Sequence, residues 1–393
     1  MSKNNRQNIL FLAALVLIFL TGTVSFVRTP KKTSVSENRT LEQFEHFTVG
    51  GFMDGSFQDN FENALSDQFM LSEKIRTVYG RAISSLPAFG IDRIACTNRY
   101  LALPNSVDSK RVTFNCEDYI VVLPNTVQQR VYDNIKKYNK INTENDVYYY
   151  LIETYRTYDF EKDENIGDYV SVLQENLKGK YHLGFMENTG YDYHKKYFYK
   201  TDHHWNYEGS YKGFLDIVKM FGIENPSEPT GTFTSEEYFY GSHARTTKNY
   251  SYLEKFTIYT FDIPEHDVTI NGIGGKKYNH YAEFMDHDYE YNRDLNFYAY
   301  VYGNDYGEIV FNFHQPDKPN LLIVSNSYSN AINELVAQYF NKTYVVDMRH
   351  YEKYAKTEFK YSEYIKKNKI GKTLILGNDG FVADTELNQG LEL

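Results

Sequence analysis

The segments NLLIVSNSYSNAINELVAQYF (320–340), KTYVVDM (342–348), YEKYAKTEFKYSEYIKK (351–367) and KTLILG (372–377) decide the fold. Three short apolar runs rich in branched residues alternate with two stretches of helical spacing. Three buried strands joined by two crossover helices make βα units of a largely parallel sheet. The alternation recurs upstream, where VYYYLIET (147–154) precedes DYVSVLQENL (168–177) and YHLGFME (181–187) precedes YEGSYKGFLDIVKMFG (207–222). The stretch 245–310 is polar, rich in Tyr and Asp, and reads as an excursion of loops or antiparallel strands. No internal repeat or low-complexity tract stands out.

Toward the N-terminus, Phe52, Phe57, Phe61, Leu65, Phe69, Leu71, Ile75 and Val78 recur near helical spacing and predict a helical entry to the domain. Residues 28–43 (RTPKKTSVSENRTLEQ) are polar without a period, which predicts a juxtamembrane stalk. Ile9–Val27 (ILFLAALVLIFLTGTVSFV) is uncharged and long enough to span a bilayer as one helix. A cleaved signal peptide competes with that reading, but the run exceeds a usual signal core and no A-x-A-like site follows it. Lys3 and Arg6 on one side and Arg28, Lys31 and Lys32 on the other give no orientation by charge, whereas a short segment ahead of a long domain sends that domain outward. The chain thus divides into a tail (1–8), a transmembrane anchor (9–27), a stalk (28–43) and an extracytoplasmic domain (44–393) at the cell membrane.

A net charge of −10 argues against a nucleic-acid partner, which needs a basic face to neutralise phosphates. The 38 tyrosines and 27 phenylalanines fit either a genome bias or sugar-stacking surfaces. Cys96 and Cys116 either form one bridge in an oxidising compartment or remain thiols, and two cysteines without clustered histidines do not make a zinc site.

In open α/β sheets the working groups lie beyond the carboxyl ends of strands, at helix N-termini. Ser327 follows NLLIVS by two residues and precedes a helical run, so it is placed either as a nucleophile or as a helix cap, as Ser329 is. A serine nucleophile needs a base, and the base needs a carboxylate to fix its tautomer. KTDHHWN (200–206) offers both in Asp202 and His204, two residues apart and just ahead of a helix. Asp202 as an N-cap, or His203 and His204 as a metal pair with His194, are the other readings, the latter without a recognisable second ligand spacing.

Six segments stand in a telling order: ENRTLEQFEHFT (37–48) with Phe57, Phe61 and Asp67-Gln68-Phe69, then TDHHWN (201–206), YFYGSHAR (238–245), YGN (302–304), VSNSYSNA (324–331) and VVDMRHY (345–351). In these the chain resembles the DHHW family of bacterial surface proteins, relatives of the alginate O-acetylation proteins and more distantly of the SGNH hydrolases. The resemblance implies an α/β fold, a three-layer SGNH-hydrolase-like sandwich with a mostly parallel sheet, in which the Asp-x-His element precedes the serine. It implies Ser327 as nucleophile, His204 as general base and acid, and Asp202 as the orienting carboxylate. It further implies Tyr328, Gly303 and Asn304 as oxyanion donors, Arg349 as a ligand for a polar or anionic group, and Asn378 as another oxyanion candidate. A salt bridge to Asp347 is the competing reading for Arg349, and a turn role for Asn378. The family carries Asp before the serine where this chain has Asn326, which bears on the turn presenting Ser327.

The function so implied is acyl transfer, in the first place acetyl, to hydroxyls of an extracellular polysaccharide or cell-wall polymer. It needs no metal or organic cofactor. Because acetyl-CoA is cytoplasmic, it calls for a membrane-bound O-acyltransferase partner that delivers the acyl group. The same triad would serve a carbohydrate esterase, and a tyrosine-rich crevice would serve a non-catalytic protein that binds glycan or a partner.

Overall fold

The structure, a computed structural model, describes residues 3–34, 39–69, 74, 75, 78, 113–122, 126–160, 162 and 164–391. Ten strands carry the architecture. They are β1 (Asp146–Ile152), β2 (Tyr181–Met186), β3 (Gly231–Phe239), β4 (Glu254–Thr260), β5 (Asp267–Ile270), β6 (Ile273–Gly274), β7 (Glu308–Asn312), β8 (Asn320–Ser325), β9 (Lys342–Val346) and β10 (Ile370–Asn378). Eight of them form one sheet in the order β6-β5-β7-β9-β8-β10-β1-β2, while β3 and β4 make a separate antiparallel hairpin.

Strands β9, β8, β10, β1 and β2 are mutually parallel, but β7, β5 and β6 extend the sheet antiparallel. The sheet is therefore mixed rather than mostly parallel. A parallel return requires a crossover of about a dozen residues. The segment 313–319 between β7 and β8 is too short for one, so β7 runs against its neighbours.

Helices that carry the argument are α1 (Lys3–Val27), α2 (Gln129–Ile141), α3 (Tyr169–Asn176), α4 (Tyr207–Met220), α5 (Ser242–Thr247), α6 (Phe297–Tyr302), α7 (Tyr361–Lys367) and α8 (Asp379–Ala383). Side chains alternate across β1. Val147, Tyr149 and Leu151 pack with α2, α3, α7 and α8 on one face, while Tyr148, Tyr150 and Ile152 pack with α4 and α6 on the other. Leu322 and Val324 against Leu321 and Ile323 repeat the pattern in β8. Both faces are buried, which is why these strands read as unbroken apolar runs.

The C-terminal helix expected over 351–367 is two helices, because Lys356 adopts a left-handed conformation (φ 58°) that ends Met348–Ala355 before α7 begins. The helix expected over 331–340 is a tight turn at Ser327–Ala331 followed by a short helix at Asn333–Ala337. The excursion 245–310 holds β4, β5, β6 and α6.

The predicted stalk is not a free tether. Gln68 accepts from Lys31 N at 2.9 Å and donates to the carbonyls of Lys31 and Glu42, while Glu42 N donates to Asp67 at 2.9 Å. The polar segment is folded back onto the helix Ser56–Gln68, whose buried Gln68 anchors it. The apolar run Ile9–Val27 lies within the 25-residue α1. Among the described residues no helix is long and apolar enough to cross a membrane. Cys96, the would-be partner of Cys116, and the end of the predicted entry helix lie outside the described residues.

Candidate active site

The register of β8, β10 and β1 brings three strand ends together: Ser325 pairs with Leu376, and Asn378 with Ile152. Asn326 and Ser327, Asn378, and Glu153 with Thr154 therefore rise from the same carboxyl edge of the sheet. Asn326 caps the turn that begins at Ser327.

The second component is the loop Thr201–Asn206. A bridge between Phe198 and Trp205, with Asn206 N donating to Tyr197 O at 2.8 Å, pinches the chain into a hairpin-like tip. Asn206 then caps α4 through Glu208 N and Gly209 N. Trp205 is fully buried, and a Cβ on Gly213 would approach its ring to 2.5 Å, so only glycine lets α4 close on the indole. Within the tip, Asp202 Oδ1 accepts both His204 N at 3.0 Å and His204 Nδ1 at 2.6 Å. That local turn is what makes a spacing of two sufficient.

His204 Nε2 stands 2.8 Å from Ser327 Oγ. Ser327, His204 and Asp202 are thus in one hydrogen-bonded line, although 123 residues separate the serine from the histidine. The imidazole is clamped by Tyr298 of α6, whose ring stacks on it at 3.7 Å between centroids and 5° between planes. The Tyr298 hydroxyl accepts from Trp205 Nε1 at 3.3 Å and donates to Ser327 O at 3.2 Å, tying ring, loop and serine together. Burial alone would raise the Asp202 carboxyl, but the two neighbouring imidazoles and the bond to His204 outweigh it and hold Asp202 well below the usual carboxylate range. It is the anion that such a triad requires.

The remaining candidates separate. Asn378 Oδ1 accepts Phe381 N at 3.0 Å and Asn326 Nδ2 at 3.2 Å, so Asn378 touches the residue preceding the serine and still has its amide donors to offer. Tyr328 N donates to Asn326 Oδ1 at 3.3 Å, so its N–H is turned to the cap. Gly303 offers a carbonyl, not a donor, to Asn330 Nδ2 at 3.2 Å, and Asn304 is exposed beside it. Neither is hydrogen-bonded to Ser327 or His204. Arg349 is held by Asp347 and, at 2.8 Å, by Asp305, so its Nε and Nη2 close an ion pair while the side chain stays partly exposed. His194 does not join His203 and His204: it lies buried among Tyr119, Tyr155, Phe160 and Phe198, and burial pushes it down to about 3. Asp202, His203 and His204 do bring ligand atoms within 4.8 Å of one another, but both nitrogens of His204 are already engaged.

Sequence reasoning missed Tyr298 and gave Ser242 no role. Tyr298 sits in the tyrosine-rich excursion, where nothing distinguishes it from its neighbours; Ser242 lies in the YFYGSHAR segment noted above. Behind the site, Glu254 of β4 is half-buried and accepts Lys200 N at 3.0 Å; loss of solvent around it pushes its carboxyl up to about 8. A carboxyl raised in the native state contributes stability that is fully present below its ordinary value of 4.5 and is lost as pH climbs through about 8. Glu254→Gln is therefore expected to gain thermal stability relative to the parent between pH 5 and pH 8, as followed by melting temperature.

No family model and no curated protein matches the chain. Solved structures do. Bacillus cereus PatB1 with a sulfonyl adduct superposes with a TM-score of 0.56 at 17% identity, over 71% of this chain and 98% of that one. PatB1 in a second structure gives 0.53 at 19% identity, over 70% and 99%. A DHHW family protein from Eubacterium siraeum gives 0.53 at 19% identity, over 72% and 94%. The backbone agrees with the family that the ordered motifs resemble: the chain has the fold of PatB1 and of a DHHW family protein.

Proposed function

We propose that the chain transfers an acyl group, in the first place acetyl, to hydroxyls of an extracellular polysaccharide or cell-wall polymer. One observation carries the reading: the continuous line from Asp202 through His204 to Ser327 at the carboxyl edge of the sheet. Ser327 Oγ attacks the acyl carbonyl while its proton passes to His204 Nε2, and the imidazolium so formed is stabilised by Asp202. The oxyanion is met by Asn378 Nδ2, joined by Tyr328 N–H once the 3.3 Å bond to Asn326 is given up. His204 then returns the proton to the leaving group, and the acyl group remains as an ester on Ser327. In the second half His204 takes the proton of the acceptor hydroxyl, whose oxygen attacks the ester, and returns that proton to Ser327 Oγ as the acyl–serine bond breaks.

In this reading the α/β domain works on the outer side of the cell membrane. Its support is the apolar surface that α1 leaves exposed at Phe11, Leu12 and Phe19. The acyl donor is then handed over by a membrane-bound O-acyltransferase. The test is to give the full chain in detergent a chromogenic acetyl ester, with and without a polysaccharide or short oligosaccharide acceptor. Chromophore release with acetylated acceptor is expected. Release with free acetate alone would make the protein an esterase, and no release would remove the catalytic reading.

A further inference from the structure

Asp202 has two imidazoles within reach. His204 Nδ1 lies 2.6 Å from Oδ1 and His203 Nδ1 only 3.5 Å from the same oxygen. A second N–H bonded to that oxygen would draw charge away from His204. The geometry shows what prevents it. Ser242, the first residue of α5, places its Oγ 2.7 Å from His203 Nδ1, while its backbone N donates to Asp202 Oδ2 at 2.6 Å. The segment is bolted in place by Gly241 N to Thr201 Oγ1 at 2.9 Å and by His243 N to Thr201 O at 3.0 Å.

We propose that Ser242 is a positioning residue that selects which histidine Asp202 serves, its hydroxyl holding His203 away so that the carboxylate orients His204 alone. The inference rests on the triad reading above. The groups facing this pair fit a neutral His203: Tyr298 of α6 and Tyr328 of the serine turn lie against the His204 ring, and His243 of α5 approaches His203. Burial, then His204, His243 and Arg156, push His203 well below its ordinary value against the pull of Asp202. Arg245 of α5 and Glu254 of β4 bear on Asp202.

The test is a double-mutant cycle on the full chain. Ser242→Ala keeps the backbone N–H to Asp202 and removes only the hydroxyl. It is expected to lower kcat on the chromogenic ester about tenfold with KM unchanged and to move the acid limb of kcat/KM to lower pH. In the His203→Phe background the same change is expected to cost less than about twofold, since the competing imidazole is gone. A tenfold cost in both backgrounds, or none in either, overturns the proposal. A second readout does not depend on turnover: in 15N-histidine-labelled chain, Ser242→Ala should shift the His203 Nδ1 resonance and the His204 Nδ1–H signal together. If the parent is inert toward ester but this shift occurs, the catalytic reading falls while the selection stands; unshifted signals refute the selection even in an active enzyme.

Discussion

Ser327→Ala and His204→Ala are each expected to lower turnover of an acetyl ester by roughly 10⁴-fold or more, and the double variant to be no slower than either single one. The reason is the single line of bonds. Without Ser327 no acyl-enzyme forms, and without His204 the base that stands 2.8 Å from Oγ is lost. Neither substitution should unfold the chain, because the turn at Ser327 is capped by the preceding Asn326 and the loop is pinned by Trp205. Circular dichroism and melting temperature check that the loss is chemical. Loss in one variant with near-parental turnover in the other would separate the two residues and break the triad assignment.

Gly241→Ala should have the next largest effect. An added Cβ would lie 2.3 Å from Asp202 Cβ and 2.5 Å from its N and Cα. These are loop backbone and a short side chain, not the movable end of a long one, so one of the two segments must shift. Overpacking of this kind costs about 1–3 kcal/mol of stability. The functional loss should be larger, since a displacement of order 1 Å in the orienting carboxylate costs about 10²-fold. A melting-temperature drop of several degrees with turnover reduced about 100-fold is expected; a parental rate would mean that Asp202 tolerates the shift and matters less than its geometry implies. The φ of Gly241 is −73°, so the requirement is for space and not for a left-handed backbone.

Both predictions rest on features legible to different degrees in the sequence. The strands NLLIVS and VYYYLIET were readable because strands buried on both faces are continuously apolar, and the structure places them as β8 and β1, with YHLGFME beside them as the edge strand β2. The antiparallel half of the sheet was hidden, since β5, β6 and β7 are short and lie among polar turns. At the site, the strand ahead of Ser327 and the two-residue spacing of Asp202 and His204 made the three residues candidates beside capping and metal readings, and the family resemblance gave them their triad roles. The pairing of their surroundings was not. Arg349 and Asp347 are two residues apart in sequence, yet only the fold brings Asp305 to the same guanidinium. Gly303 spends its carbonyl on Asn330, and neither it nor Asn304 is hydrogen-bonded to Ser327, a pairing that no spacing reveals. Tyr298, 93 residues after Trp205, reaches its place through the packing of α6 on the loop.

The central claim is that Ser327 is an activated nucleophile, and covalent labelling tests it most directly. The full chain would be treated with a sulfonyl fluoride or a slow acetyl ester, and the modified residue located by intact mass and peptide mapping. The account predicts one adduct, on Ser327, formed in the parent and absent from His204→Ala. An adduct on another residue, or equal labelling of Ser327 with and without His204, would contradict it.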